Sequence, residues 1–314
     1  MKRSLFLLIS ITQLAFAETW FDTWMDDTSA MAQELCSNWK HEMPDTGMMP
    51  SYFSVEITSN MGERHGGSTF QWQQYSLSVP LADPRRSGGE NWMFNASFNA
   101  DVTLVNTSGS LDIRENDLYH FSLPVSLIVP RDNGDAVIAA VSPSLSSDFA
   151  KSAHSFHISM MATYRVKHSD ELTYSVGLAY SPYAAAWNLM PVVAFDWKIT
   201  PDWTFSMSGY RLSLMRQVQE RVRVGSFLQG EGGSWAVSTP IGTRMLRVRS
   251  LVVGVTAEYD FSRGEQAKRI ITMSVGSTLT TAVDFCRYNS DRDREASHHY
   301  HPGLYFSAGV DFRF

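Results

Sequence analysis

Alternation of apolar residues with polar ones, held over stretches of nine to thirteen residues, constrains this chain more than any other feature of its sequence. Trp92, Phe94, Ala96, Phe98, Ala100, Val102 and Leu104 interleave with Met93, Asn95, Ser97, Asn99, Asp101 and Thr103. Tyr119, Phe121, Leu123, Val125, Leu127 and Val129 interleave with His120, Ser122, Pro124 and Ser126. The period returns in residues 156–166, 172–180, 193–199, 251–261 and 271–279. Successive side chains of a strand point to opposite faces, so each stretch has one greasy and one wet face. Such lengths suit a tilted membrane strand of about 9 to 11 residues. A soluble sandwich also alternates, but it hides its apolar face between two sheets of shorter strands.

The connections alternate as well. On one side the strands end in compact turn chemistry: Arg131-Asp132-Asn133-Gly134-Asp135, Lys167-His168-Ser169-Asp170 and Thr200-Pro201-Asp202. The intervening links, near residues 60–69, 106–116 and 146–153, are longer, and residues 82–90 depart from the rule. Short turns on one side and long loops on the other are expected of a barrel in an outer membrane. Between Gly209 and Met245 the period breaks, leaving room for two strands or four. The expectation is an all-β fold, an antiparallel transmembrane β-barrel over residues 51–314 with twelve to fourteen strands, twelve preferred and the number even.

Before the barrel, Lys2 and Arg3, an apolar run from Leu5 to Ile11 and the small-residue pattern Ala15-Phe16-Ala17 have the order of a secretory signal peptide. Residues 1–17 are therefore expected to be cleaved before Glu18. Removing two basic residues takes the formal charge from −6 to −8, and nothing points to a nucleic-acid partner. After the leader no apolar run approaches the roughly 20 residues a spanning helix requires. Residues 18–50 lack period two and carry Trp20, Trp24, Met31, Leu35 and Trp39 at roughly helical spacing, which suits a periplasmic or surface helix or a plug inside the barrel.

At the other end Leu304, Phe306, Ala308, Val310, Phe312 and Phe314 face one way, and Tyr305, Ser307, Gly309, Asp311 and Arg313 the other. Ser307, Gly309, Phe312 and Phe314 resemble the carboxy-terminal insertion signal of outer-membrane β-barrel proteins. Residues 172–180, 191–203 and 275–285 are also similar to uncharacterised outer-membrane barrel domain families. The resemblance implies a bacterial outer-membrane address, insertion by the barrel-assembly machinery through strand addition, and contact with outer-membrane lipid and lipopolysaccharide. It brings no known activity and no cofactor, and it leaves the oligomeric state open.

Chemistry-bearing groups are scattered. By alternation Asp101, Arg165, Asp196, Lys198, Glu258, Asp260, Asp284, Asp311 and Arg313 fall on lumen faces, where charges set ion preference in a pore or pair with one another in a plugged barrel. His298, His299 and His301 lie beside Asp291, Asp293 and Glu295, but no helical or turn spacing fixes them as metal ligands. His65 near Ser68, and His154 with His157, are pairs of the kind rim-active outer-membrane hydrolases use, without those families' motifs. Cys36 and Cys286 are the two cysteines, and the oxidising periplasm permits a bond between them. Cys286 shares the count parity of the lumen-facing Thr272, Ser274 and Gly276, which would place such a bond inside the barrel. The functional expectation is a porin-like channel for small polar solutes, with a rim hydrolase and a structural or adhesive barrel as alternatives.

Overall fold

The structure, a computed structural model, describes residues 52–63, 69–82, 92–107, 113, 115–150, 156–181, 189–209, 211–262, 268–287, 290–300 and 302–313. Its first strands are β1 (Tyr52–Glu63), β2 (Thr69–Ala82), β3 (Met93–Thr107), β4 (Asp117–Ser122) and β5 (Val125–Pro130). Then come β6 (Ala136–Ser147), β7 (Phe156–Lys167), β8 (Leu172–Tyr180), β9 (Leu189–Thr200), β10 (Trp203–Ser208) and β11 (Arg211–Gln219). The last are β12 (Val222–Thr239), β13 (Gly242–Asp260), β14 (Lys268–Arg287), β15 (Ser290–Tyr300) and β16 (Gly303–Arg313).

Chain neighbours pair antiparallel all the way round, and β1 closes on β16 with Tyr52 opposite Arg313. Two of the breaks are prolines within a single strand. Both β4 and β5 pair with β3 and with β6, and the ladder bridges the gap where Ser97 N donates to Pro124 O and Leu123 N to Pro143 O. Likewise β15 and β16 share one edge of β14 on either side of Pro302, where Gly303 N donates to Thr278 Oγ1 at 2.7 Å. Proline has no N–H to give a ladder, so the strand kinks there without changing course. Among the described residues the sixteen segments therefore make a closed ring of fourteen strands. That replaces the preferred twelve: β10 has only six residues and a tight link at Gly209 (φ 57°), too short to register as a membrane strand by pattern.

The wall is apolar outside and polar inside. On β7, Phe156, Ile158, Met160 and Tyr164 are exposed while His157, Ser159, Thr163 and Arg165 are buried. The same inversion runs through Val176 and Leu178 on β8, Val193 and Trp197 on β9, Val253 and Val255 on β13, and Met273 and Val275 on β14. A soluble protein does not carry so continuous an apolar belt, whereas lipid requires one. We call the end bearing Tyr52 and Arg313 the inner end, and the opposite one the outer end.

Candidate functional site

At the outer end, β12 to β15 continue beyond the wall as a lobe. The β12–β13 ladder runs unbroken from Val222 opposite Tyr259 to Thr239 opposite Gly242. Gly232, at φ 138°, takes a backbone conformation that side-chain-bearing residues avoid, and the Trp235 ring lies where a Cβ on Gly233 would stand. Beyond these glycines, Trp235 and Val237 of β12, Leu246 and Val248 of β13, Val283 and Phe285 of β14 and Tyr300 of β15 form one apolar core. Its other half is Phe70 and Trp72 of β2, Val105 of β3 and Leu118 of β4. Those four share strand parity with the buried, inward-facing Ser78, Thr103 and Ser122. The lobe is thus folded onto the inside of the mouth.

The lobe also reaches the far wall. Ala236 pairs with Ser147 at the outer end of β6, six places away in the ring of fourteen. Asp148 N donates to Ala236 O at 3.0 Å, Ser238 N donates to Asp148 Oδ2 at 2.5 Å, and Ser146 Oγ donates to Ser234 O. Beside this seam Phe149 holds a left-handed backbone (φ 54°), costly for a bulky residue. Its N–H donates to Ser147 Oγ at 3.0 Å, and its ring packs on Tyr119 and Phe121 of the outer face. One side of the cap is therefore an extensive apolar core, and the other a short polar seam.

Below the cap, the β2–β7 wall is lined by hydroxyls and amides. Ser78, Asn99, Ser122, Ser144 and His157 lie in register across five strands, with Ser78 Oγ donating to Asn99 Oδ1 at 2.7 Å. Ser76, Asp101, His120 and Ser146 form the next row, and the His120 and His157 rings stand 6.3 Å apart. On the facing wall Arg211 donates to Gln229 at 2.8 Å and lies 4.8 Å over the Phe227 ring. Gln229 donates to Tyr305 Oη at 3.0 Å and to Glu231. Nearer the inner end Arg223 pairs with Glu258 through Nε at 2.9 Å and Nη2 at 2.5 Å. Part of the β5–β8 wall differs: Ile128, Ala136, Ile138, Met161 and Ala179 form a buried apolar cluster on inward positions.

The expected lumen charges are dispersed. Arg165 is buried and feels the charge of Asp196, which is half-buried, whereas Lys198 is exposed at the inner rim. Asp101 and Glu258 hold the places just described; Asp260 is half-buried and accepts from Ser262 N at 2.9 Å, and Asp311 is buried opposite Ile270. Asp284 sits in the lobe, bonded to Arg249 at 2.5 Å. A bulge puts Leu251 opposite Thr280 but Val252 opposite Thr278, so parity inverts above it. Cys286, buried opposite Met245, therefore shares a lobe face with Asp284 and does not continue the Thr272, Ser274 and Gly276 row. Of the insertion-signal positions, Ser307 is buried and Gly309 and Phe312 are half-buried, with Phe312 edge-on to Phe261 at 6.2 Å.

Cys36, His65, Ser68, His154, His301 and Phe314 lie outside the described residues, as do the side chains of Asp291, Asp293, Glu295 and Arg313. Among the described residues no three metal-ligating side chains come together. The pattern missed Arg211, Arg223, Gln229 and Glu231, all within the stretch where the period breaks; the glycines at 225, 230, 232 and 233 were the available sign of a special backbone there.

A closed antiparallel sheet with an apolar exterior, a mostly polar interior and a capped mouth defines the class as a transmembrane β-barrel. The chain belongs to the family described as a domain of unknown function (DUF6268), whose model matches residues 48–313. No curated protein matches it. It is similar to the COG4313 outer membrane channel from Pseudomonas putida F1, with 11% identity, a TM-score of 0.44, and 87% of this chain and 98% of that one covered. The translocator domain of the autotransporter NalP from Neisseria meningitidis gives 11% identity and a TM-score of 0.39, covering 90% and 93%. The toluene transporter TodX of P. putida gives 12% and 0.35, covering 91% and 93%. These are distant likenesses of shape and decide nothing about activity.

Proposed function

We propose that this chain is a gated channel of the bacterial outer membrane for small polar solutes, with the β12–β15 lobe as its gate. The observation that carries the reading is the polar seam: a lobe that spans the mouth is tied to β6, among the described residues, by hydrogen bonds at Ser146, Ser147 and Asp148, above a wall of hydroxyls and amides. Each neutral hydrogen bond of such a seam contributes about 0.5–1.5 kcal/mol, so a few of them can exchange with water. The Ser, Asn and His rows offer donors and acceptors without a dominant charge, which favours polar solutes over one sign of ion. On this reading residues 1–17 are a cleaved leader, β16 carries the signal read by the assembly machinery, and the apolar belt meets lipid and lipopolysaccharide.

The test is a pair of cysteines, Ser147→Cys with Ala236→Cys, in a chain also carrying Cys36→Ser and Cys286→Ser. Bridge partners lie within the Cα reach of a disulfide. In planar bilayers the reduced protein should show current steps that oxidation abolishes, and neither single cysteine should respond. Absence of current from the reduced, folded protein would overturn the channel reading; equal current in both states would remove the lobe as its gate.

A further inference from the structure

At its outer end β6 changes partners. Its pairing with β7 reaches Leu145, opposite Phe156; at Ser147 the edge that β7 leaves is taken by Ala236 of the lobe, while Tyr119 of β4 keeps the other edge. The alternation of β6 turns Val141 and Leu145 outward, 37% and 39% exposed, and by the same count Ser147 stands on the outer face, yet it is fully buried. A hydroxyl on that face needs a partner within the protein, because lipid offers none. Phe149 supplies it, donating its N–H to Ser147 Oγ at 3.0 Å.

That bond depends on how the chain turns. Among the described residues Phe149 is the one non-glycine with a positive φ, 54°. A turn needed only for its shape is made at least cost by Gly or Asn, and a bulky residue persists there when its surroundings over-determine it. The surroundings here are aromatic: the Phe149 ring packs on Tyr119 at 5.5 Å and on Phe121 at 6.0 Å, and Phe121 stacks on Phe98 at 6.2 Å, all on the outer face. Tyr119 is the cross-strand neighbour of Ser147, so the ring is seated beside the point where the lobe is tied. The same turn sets Asp148, whose N–H reaches Ala236 O, whose Oδ2 accepts from Ser238 N and whose Oδ1 accepts from Ala150 N at 3.0 Å. Residues 147–150 therefore cross the wall, with ring contacts on one side and the lobe on the other.

We infer that Phe149 latches the seam from outside the barrel: its ring, seated on Tyr119 and Phe121, holds the left-handed turn that presents Ser147 and Asp148 to Ala236 and Ser238. Contacts on the outer, lipid-facing surface thereby set how firmly the lobe is tied. The latch acts on the seam itself and does not rest on the channel reading; it holds whether or not a solute passes beneath.

The test is amide exchange in the full-length folded protein, read at Asp148 and Ser238, whose N–H groups make seam bonds. Phe149→Gly relieves the backbone and removes the ring, so the two possible causes predict different results. If the ring is the latch, both amides should exchange about tenfold faster, the loss expected for aromatic pairs of this kind. If backbone shape alone holds the seam, they exchange no faster than in the parent, and the inference is overturned. Phe121→Ala, which leaves β6 untouched, should accelerate the same two amides, and Phe149→Tyr, which keeps the ring, should leave them at the parental rate. No acceleration with Phe121→Ala, or acceleration with Phe149→Tyr, overturns the latch as well. Should Phe149→Gly fail to fold, Phe121→Ala carries the same decision. The Leu246 and Val248 amides of the lobe core should stay as slow as in the parent throughout; acceleration there would mean general loosening in place of a latch.

Discussion

In the inner halves of β12 and β13, Val224, Ser226, Val253, Val255 and Ala257 are exposed while Phe227, Gln229, Val252 and Thr256 are buried. In the outer halves of the same unbroken ladder every residue from Trp235 to Thr239 and from Met245 to Leu251 is buried. The inner half separates lipid from lumen, so its two faces meet different surroundings and its sequence alternates. The outer half has protein on both faces, as a soluble core strand does, and alternation there has nothing to report. One hairpin thus obeys two rules, divided at Gly230 to Gly233 and at the bulge by Leu251.

If the halves are energetically separate, damage to one should spare the other. Trp235→Ala removes the largest side chain that β12 gives the lobe core, and truncations of this kind cost about 3–5 kcal/mol. Amide exchange should accelerate in the outer halves of β12 to β14 and remain slow in β7 and β8. Equal acceleration in both would show that lobe and wall unfold as one unit and would end the distinction.

The same division explains what was legible in the sequence. Wall strands such as β7 and β16 could be read because lipid and lumen impose opposite choices at every second residue. The lobe could not, since Trp235, Ala236 and Val237 are equally acceptable when both faces are covered. A single bulge residue reversed the parity of Asp284 and Cys286, and periodicity has no way to announce a bulge. The apolar inward cluster on β6 was hidden for a related reason: in Ala136, Val137, Ile138, Ala139 and Ala140 both faces are apolar, so neither marks the lumen. The polar rows were half visible. Asp101 and Arg165 were singled out as charges, while the serines and Asn99 that surround them became a wall only when the register was known.

A smaller effect probes the wall where it is tightest. Phe227, Gly254, Gly276 and Tyr305 lie in register, and the Phe227 and Tyr305 rings meet edge-on at 5.9 Å over the two glycines. A Cβ on Gly276 would meet Val253 O and stand 2.8 Å from Gly254 Cα. Gly276→Ala should therefore cost about 1–3 kcal/mol through forced backbone shifts. The check is the denaturant midpoint of the folded barrel in detergent, followed with exchange in the lobe. A lowered midpoint with an intact lobe core sharpens the separation of the two halves. An unchanged midpoint would mean that these strands relax more freely than their contacts imply.

The smallest effect lies at the inner turn between β5 and β6, as far from the lobe as the wall extends. Asp135 accepts from Tyr164 Oη at 2.8 Å, from Lys167 N at 2.9 Å and from Asn133 Nδ2 at 2.6 Å. These donors, Tyr164 foremost, hold its carboxyl below the ordinary carboxylate range. A carboxylate depressed in the folded state stabilises that state above its unfolded pKa, and the contribution disappears as pH falls through the lower folded value. Exchange at the Gly134 and Lys167 amides should therefore show extra opening on acidification below pH ~4, beyond the intrinsic pH dependence of exchange. Asp135→Asn should remove that extra response while leaving the lobe amides as they were. A response in the lobe as well would couple the inner turn to the lobe across the full height of the wall, which the local bonding of Asp135 gives no reason to expect.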